Sequence, residues 1–305
     1  MRNTFAKEIR EQAKINRKIV LLSGDIGNKM FDEFKGDCPK QFINCGIAEA
    51  NMMSMASGMA LCGMRPVIYT ITPFTTCRCF EQIKIGVGYH NVPVIIIGTG
   101  SGLSYSELGP THHSLEDIAI LRTIPNLNIL APCDSIELKF FLRESLTNNI
   151  PTYIRIGKKG EPNLSICKSN PKIGKANFLN YGEDILIIGI GPILGEALKA
   201  SQILKEKGVN LAVASMGSVR PLDIEFLENA RENFKTWVTL EEHGIIGGIG
   251  SSILEWISER QYNQEIKLHR LAAPTKFINE LGNQSFLRSK LQIDSEGIKN
   301  FILKL

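Results

Sequence analysis

The 305-residue sequence lacks several features that mark whole classes of protein. No apolar run approaches the length of a membrane-spanning helix, and residues 1–17 mix acidic and basic side chains without an apolar signal core. Lysine and arginine are spread along the chain with no dense basic block, which argues against nucleic acid as a partner. These absences predict a cytoplasmic protein that binds neither membranes nor nucleic acid. The net charge of +4 is compatible with small anionic substrates.

Cysteine pairs with the spacing of a metal site are also lacking. The sequence contains seven cysteines: Cys38, Cys45, Cys62, Cys77, Cys79, Cys133 and Cys167. They do not show the spacing of a zinc finger, and several lie in apolar stretches. We therefore expect reduced, mostly buried thiols.

Short β-branched runs that alternate with helical stretches predict the fold class. In the first half of the chain they fall at 18–22, 41–45, 66–71, 93–99, 128–131 and 152–156. After a polar stretch the pattern resumes, with runs at 184–190, 210–216, 236–240 and 266–271 and helices at about 195–207 and 250–260. Such alternation is typical of mostly parallel sheets covered on both faces.

The length and the hydrophobic content of 43% allow two ordinary cores. We therefore expect an α/β protein with two three-layer domains, at residues 1–165 and 182–305. The polar stretch, rich in Lys, Pro, Asn and Gly, predicts a linker at 166–181.

Glu49 is the only charged residue between Lys40 and Arg65. It lies in residues 46–60, a run rich in Ala, Met, Gly and Ser that suits close packing. A carboxylate buried in such a run needs a hydrogen-bond partner, because burial without one costs several kcal/mol. An exposed carboxylate at a helix start, favoured by the helix dipole, is the alternative. The apolar surroundings favour a functional role.

Two glycine-rich turns suggest cofactor sites only superficially. Residues 189–195 follow a predicted strand and open a helix, but the glycine spacing is wrong for a dinucleotide site, and the next strand ends at Ser215 where an acidic residue is expected. Residues 24–27, with Asn51 downstream, resemble the Gly-Asp-Gly and Asn pattern that holds a magnesium diphosphate, but the third position is isoleucine. We predict tight turns and no metal site in this chain.

The adjacent pair His112 and His113 follows Gly109-Pro110 in a loop after a strongly apolar strand. Neighbouring side chains rarely converge on one metal, and no third ligand has helpful spacing. Loops at the carboxyl ends of parallel strands are where ligands bind in such sheets. His112 is therefore a candidate for substrate contact or proton transfer, with an ordinary loop histidine as the alternative.

Three further candidates gain weight only in combination. A lone Phe74 after the strand at 66–71 is more often a core residue than a stacking platform. Arg155 and Lys158 lie at or just after the strand at 152–156, where they could bind a phosphate, although solvated charges are commoner.

Four motifs occur together in a recognisable order: 46–60, 72–82, 107–112, and a two-part motif made of 219–223 and 241–250. This combination resembles the transketolase family. Essentially end to end, the chain is similar to the carboxy-terminal subunit of a split transketolase. The resemblance implies a pyrimidine-binding domain at 1–165 and a transketolase C-terminal domain at 182–305.

The resemblance implies thiamine diphosphate as cofactor. The family residue that matches Glu49 hydrogen-bonds the aminopyrimidine ring and promotes the imino tautomer that activates the cofactor. Phe74 matches the aromatic residue that stacks on the pyrimidine, and we expect Arg78, in the same segment, to bind the cofactor. His112 matches a catalytic histidine that hydrogen-bonds a hydroxyl of the sugar donor. Lys158 aligns with an arginine that binds the phosphate of the acceptor.

Departures from the family pattern bear on the substrate. Leu108 stands where relatives carry an aspartate that contacts a substrate hydroxyl, and His113 stands where glutamine is usual. Lys158 keeps the charge of the family arginine but loses its bidentate fork. With Arg155 as a further substrate contact, we expect an unusual sugar or sugar-phosphate acceptor.

The family's diphosphate-binding domain, with its magnesium site, is not among these residues. The resemblance therefore implies that a separate amino-terminal subunit supplies this half of the cofactor site and holds Mg²⁺ or a similar divalent ion. We expect an α2β2 heterotetramer with two-fold symmetry.

Three hypotheses about function remain open. The favoured one is ketol transfer from a ketose donor to an aldose acceptor. A deoxyxylulose-phosphate synthase-like enzyme or a 2-oxo acid dehydrogenase β subunit shares the same pair of domains, although Thr111-His112 argues against the dehydrogenase. A non-catalytic scaffold subunit is the alternative of another class, and Leu108 motivates it.

Overall fold

The computed structural model describes residues 1–27, 29–164 and 170–305. Strands alternate with helices through both halves of the chain. The first half contains β1 (Ile19–Ser23), β2 (Phe42–Asn44), β3 (Arg65–Ile71), β4 (Ile95–Thr99), β5 (Asn128–Leu130) and β6 (Thr152–Ile156). Its helices are α1 (Arg2–Ile15), α2 (Asp32–Asp37), α3 (Glu49–Leu61), α4 (Thr72–Thr75), α5 (Phe80–Gln82), α6 (Asp117–Leu121) and α7 (Ser135–Thr147). Short 3₁₀ turns cover Pro39–Gln41, Cys77–Cys79 and Ser106–Leu108, and a π-helical segment covers Ile83–Tyr89.

The second half repeats the alternation. Its strands are β7 (Asn177–Asn180), β8 (Ile185–Gly189), β9 (Leu211–Ser215), β10 (Ser218–Arg220), β11 (Thr236–Gly244) and β12 (Lys267–Ala273). Its helices are α8 (Leu194–Lys205), α9 (Ile224–Asn233), α10 (Ile249–Glu259), α11 (Gln284–Lys290) and α12 (Ser295–Ile302).

The first sheet has seven strands in the order β10-β5-β6-β4-β3-β1-β2. All pairs among β1 to β6 are parallel, and Leu21, Val67 and Ile95 lie side by side in three neighbouring strands. Strands β1, β4 and β6 are buried along their whole length, as expected where helices cover both faces. Phe5 of α1 and Phe141 of α7 pack on one face, and Met52 of α3 packs on the other.

The second sheet has five strands in the order β12-β11-β8-β9-β7, parallel except where β7 meets β9. Helices α8 and α12 cover one face through side chains such as Leu194 and Ile298. Trp256 of α10 lies on the other face, in a core that continues into the first sheet's helical layer. The α/β class with two mostly parallel sheets is therefore confirmed.

Each of the ten strands predicted from the sequence overlaps an observed strand, but two observed strands were not predicted. Strand β10 comes from the second half of the chain and pairs antiparallel with β5 in the first sheet. Strand β7 lies inside the range expected to be a linker, where only Leu179 of its four residues is buried. Of that range, residues 166–169 lie outside the described residues.

Six of the seven cysteines lie among the described residues, and none of the six forms a disulfide. Three are buried, whereas Cys62 and Cys77 are exposed, so the expectation of mostly buried thiols holds for half of them. Cys167 lies outside the described residues. Across the three described ranges, no helix combines the length and the apolar character needed to cross a membrane.

Candidate functional site

The predicted site residues follow strands of the first sheet at one edge. Glu49 comes after β2, Phe74 after β3, His112 after β4 and Lys158 after β6. Because β6, β4 and β3 are neighbours and run parallel, the segments that follow them emerge at the same edge. This edge is the usual place for ligands in such sheets.

Glu49 begins α3 and is only 5% exposed. Its Oε2 accepts a hydrogen bond of 2.7 Å from Nη1 of Arg78, which also makes the two residues an ion pair. The sequence indicated that a buried carboxylate here would need a partner, and Arg78 is that partner. The Arg78 side chain remains 46% exposed, so the pair lies at the boundary between core and solvent.

Arg78 also lies over an aromatic ring. Its Cζ is 4.3 Å from the ring centroid of Phe74, within the range of a cation–π contact. Phe74 lies in the short helix α4 and is half-buried, so one part of its ring remains open to the site. One guanidinium therefore contacts both a carboxylate and the face of a ring.

His112 extends this group on the other side of Phe74. The two rings meet edge to face, with centroids 5.2 Å apart. Nδ1 of His112 lies 2.9 Å from Oγ1 of Thr111, whereas Nε2 has no partner among the residues that the structure describes. Burial, and secondarily the charge of His113, lower the pKa of His112 below its usual value of 6.5. The imidazole is therefore mainly neutral at pH 7, so that it can accept or donate a hydrogen bond.

Tyr105 links His112 to Lys158, and it was not predicted from the sequence. Its ring centroid is 6.0 Å from that of His112, and Nζ of Lys158 lies 4.6 Å from it. A Cβ on Gly100, which has φ of +79°, would lie 2.0 Å from the Tyr105 ring, so the ring packs where only glycine leaves room. The signal that could have found Tyr105 is its place in the same loop as His112.

Together these contacts form a continuous group that we call the site group: Glu49, Phe74, Arg78, Tyr105, His112 and Lys158. It combines a buried carboxylate, two aromatic rings, a neutral imidazole and two cations. Such a group can bind a flat ring that carries nitrogen, and beside it a polar or anionic substrate.

The structure does not bring Arg155 into the site group. Its guanidinium is buried, and Nε donates to Oδ2 of Asp117 over 2.9 Å. Nη2 donates to the carbonyl oxygens of Ser114 and Glu242 at 2.7 and 2.9 Å. These contacts tie the first domain to β11, so we leave Arg155 out of the substrate site proposed below.

Two positions that depart from the family pattern differ in exposure. Leu108 is 53% exposed, and its carbonyl oxygen accepts a hydrogen bond of 3.4 Å from Oγ1 of Thr111. His113 is buried, with Nε2 lying 3.4 Å from the carbonyl oxygen of Ser106. Leu108 therefore faces solvent near His112, whereas His113 supports the loop from inside.

The residues of the two glycine-rich turns make contacts within the chain. Oδ1 of Asp25 accepts from Asn44, while Asn51 lies on the exposed face of α3 and contacts Met55. Within 1–27, 29–164 and 170–305, no three His, Cys, Asp or Glu residues are grouped so as to hold a metal ion. The turn at 189–195 joins β8 to α8, as predicted.

Comparison with known proteins supports one family across the chain. Residues 1–161 match the family model for the transketolase pyrimidine-binding domain, and residues 174–298 match that for the transketolase C-terminal domain. An apulose-4-phosphate transketolase subunit from Phocaeicola vulgatus is 32% identical over 97% of this chain and 94% of its own. A putative transketolase C-terminal section from Methanocaldococcus jannaschii is 32% identical over 100% of this chain and 95% of its own.

A second kind of relative is longer than this chain. The 1-deoxy-D-xylulose-5-phosphate synthase of Halothermothrix orenii is 34% identical over 89% of this chain but only 42% of its own length. Among solved structures, a split-gene transketolase described as an inactive β4 tetramer superposes with a TM-score of 0.88. It is 28% identical, and the match covers 99% of this chain and 96% of that one.

Proposed function

This chain belongs to the transketolase family, and on that premise we propose that it is the carboxy-terminal (β) subunit of a thiamine-diphosphate-dependent split transketolase. In this role it transfers a two-carbon ketol unit from a ketose donor to an aldose acceptor, and it acts only with a separate amino-terminal subunit. Similarity to a separate transketolase subunit over nearly the full length of both chains supports this assignment over a role as part of a single-chain enzyme.

The observation that carries the proposal is the arrangement of Glu49, Arg78 and Phe74. The Arg78 guanidinium, a flat cationic group with N–H donors, is hydrogen-bonded to a buried carboxylate and lies over an aromatic ring. An aminopyrimidine needs the same two contacts, a carboxylate for a ring nitrogen and a ring to stack on. These residues therefore fit the pyrimidine half of thiamine diphosphate, which when bound supplies the nucleophilic carbon for ketol transfer.

The remaining residues of the site group handle the sugar. A neutral His112 holds a substrate hydroxyl through Nε2, while Thr111 fixes the ring through Nδ1. Lys158 provides a positive charge near the far end of the group and attracts an anionic substituent of the acceptor. Tyr105 lies between these two groups.

The second half of the cofactor needs a partner. The described residues provide no metal-ligand cluster, whereas a diphosphate requires a divalent ion. We assign the Mg²⁺ and the diphosphate to the amino-terminal subunit in an α2β2 heterotetramer. The β4 tetramer of the solved relative supports association of β subunits with one another in that family member. A cytoplasmic location remains a prediction.

Leu108 bears on the choice of sugar. It is exposed beside the His112 loop and offers an apolar side chain where the family carries an aspartate. An apolar group cannot hold a substrate hydroxyl, and Lys158 binds phosphate as a point charge rather than through a fork. We therefore propose an acceptor that differs from pentose phosphates in the group near Leu108.

Reconstitution tests the assignment. The chain is co-expressed with the amino-terminal transketolase subunit of the same genome, loaded with thiamine diphosphate and Mg²⁺, and assayed for two-carbon transfer from a broad panel of ketoses. We expect transfer that requires both chains. Absence of transfer across the panel contradicts the proposal.

The same assay separates the alternatives. The longer synthase relative makes a deoxyxylulose-phosphate synthase-like activity the second candidate, and decarboxylation of pyruvate without ketol transfer would favour it or the dehydrogenase. An assembled complex with no turnover on either substrate class would favour the scaffold.

A further inference from the structure

The loop at 100–116, which joins β4 to α6, is held from the second domain. We call it the substrate loop, because it carries Tyr105, Leu108 and His112. Near its start, the backbone N–H of Leu103 donates to Oε1 of Glu242 over 2.6 Å. Near its end, the N–H of Gly244 donates to the carbonyl oxygen of Leu115 over 2.7 Å. Both ends of the loop therefore hydrogen-bond to the last residues of β11.

The two ends of the loop are also tied to each other. The N–H of Ser114 donates to the carbonyl oxygen of Gly102 over 2.9 Å. Gly102 has φ of +60°, and a Cβ there would lie 2.6 Å from both the carbonyl oxygen and Oε1 of Glu242. The loop thus approaches Glu242 as closely as a backbone without a side chain allows.

Glu242 is itself fixed in place. It is 6% exposed, and both of its carboxylate oxygens are used. Oε1 also accepts from Nε2 of Gln284 at 2.7 Å, and Oε2 pairs with Nε of Arg288, both of them on α11. Charge-assisted bonds of this kind hold geometry more tightly than bonds between neutral groups.

We propose that Glu242 is a positioning residue, through which the second domain sets the conformation of the substrate loop and thereby the place of His112. The effect of Glu242 on sugar binding rests on the proposed function, whereas its effect on the conformation of the loop does not. Glu242 touches none of the reacting groups. It acts by holding the Leu103 N–H, whose burial without an acceptor would favour opening of the loop.

The test compares two neighbouring carboxylates in the full chain. Glu242→Gln replaces one carboxylate oxygen with an NH₂ group, which cannot accept a hydrogen bond from Leu103, Gln284 or Arg288. Glu241→Gln is the matched control, because Glu241 is also buried but accepts from the N–H groups of Ile249 and Gly250 at the start of α10, at 2.8 and 3.0 Å. Hydrogen exchange of residues 100–116 and the pKa of His112 by NMR are measured for both variants.

We expect Glu242→Gln to speed exchange of the loop amides about tenfold, as loss of one charge-assisted hydrogen bond would, and to move the His112 pKa back toward 6.5. Glu241→Gln should change exchange in α10 and leave both loop readouts unchanged. In the reconstituted complex, Glu242→Gln should raise KM for the sugar more than it lowers kcat, and Glu242→Asp should recover part of the loss.

Equal exchange and equal His112 pKa values in the two variants would overturn the proposal. If Glu242→Gln unfolds globally, Arg288→Met takes its place, because it removes the cation that holds the Glu242 carboxylate. Wild-type hydrogen exchange of the loop in Arg288→Met would then overturn the proposal. If the loop loosens as expected but the wild-type complex transfers no ketol unit, the positioning stands and the proposed function fails.

Discussion

Nη1 of Arg78 lies 2.7 Å from Oε2 of Glu49, and this ion pair joins an exposed cation to a buried carboxylate. Since the Arg78 side chain is 46% exposed, the pair can open from the solvent side without unpacking the core around α3. Glu49 thus has a hydrogen-bond partner within this chain. This relationship makes the proposed cofactor site compatible with a stable subunit.

Arg78→Ala should destabilise the chain by about 1 kcal/mol, because a buried carboxylate loses its donor while water reaches the vacated side. Glu49→Gln should reduce that effect, since a neutral amide needs the cation less. Urea unfolding of both single variants and of the double variant gives the coupling energy. Additive changes would show that the two side chains do not interact.

His112 should titrate below 6.5, because burial disfavours the imidazolium and His113 adds repulsion. Between the lowered folded pKa and 6.5 the unfolded chain binds more protons, so this group's contribution to stability rises with pH through that window and is lost on acidification. NMR titration of the ring measures the pKa, and His113→Gln should raise it slightly. A value at or above 6.5 in the wild type would contradict this prediction.

Glu137 should make stability fall as pH rises. It is buried in α7, and burial raises its pKa above 4.5 although Ser215 and the Cys133 N–H donate to it. The folded chain therefore holds a proton that the unfolded chain releases, so stability decreases with pH from 4.5 up to the folded pKa. Glu137→Gln cannot ionise and should lose this slope in urea unfolding measured from about pH 4.5 to about pH 8. An unchanged dependence of stability on pH in this variant would show that other groups cause it.

Leu108→Asp should leave stability within about 0.5 kcal/mol, because the side chain is 53% exposed. In the reconstituted complex it should change the ratio of kcat/KM between acceptors with and without the neighbouring hydroxyl by about tenfold, toward the hydroxylated one. Competition assays with paired acceptors measure this ratio. Leu108→Asn serves as the neutral polar control, and an unchanged ratio in both variants would remove Leu108 from the specificity argument.

The sequence predicted the core strands well, since runs such as 93–99 are rich in β-branched residues and form strands that are buried along their length, here Ile95–Thr99. It missed β7 and β10, because short antiparallel edge strands with polar residues carry little periodic signal. For the site, the apolar surroundings of Glu49 indicated its burial correctly. Its role toward a cofactor came from the family resemblance, since burial alone is common to structural and functional carboxylates.

Arg155 and Glu242 make contacts that the sequence does not predict. An arginine at the end of a strand looks the same whether it faces a ligand or Asp117, and the deciding partner lies 38 residues away. The bond between Leu103 and Glu242 spans 139 residues and two domains. Such contacts depend on tertiary packing, which local patterns do not encode.

Activity of Glu49→Gln in the reconstituted complex tests the central claim most directly. With thiamine diphosphate, Mg²⁺ and a ketose donor that the wild type uses, the variant should lose at least about 100-fold in kcat, because loss of a positioned proton partner has effects of that size. It should keep the unfolding midpoint of the wild type within a few degrees. Wild-type turnover by a correctly assembled Glu49→Gln complex would contradict the claim that this carboxylate serves the cofactor.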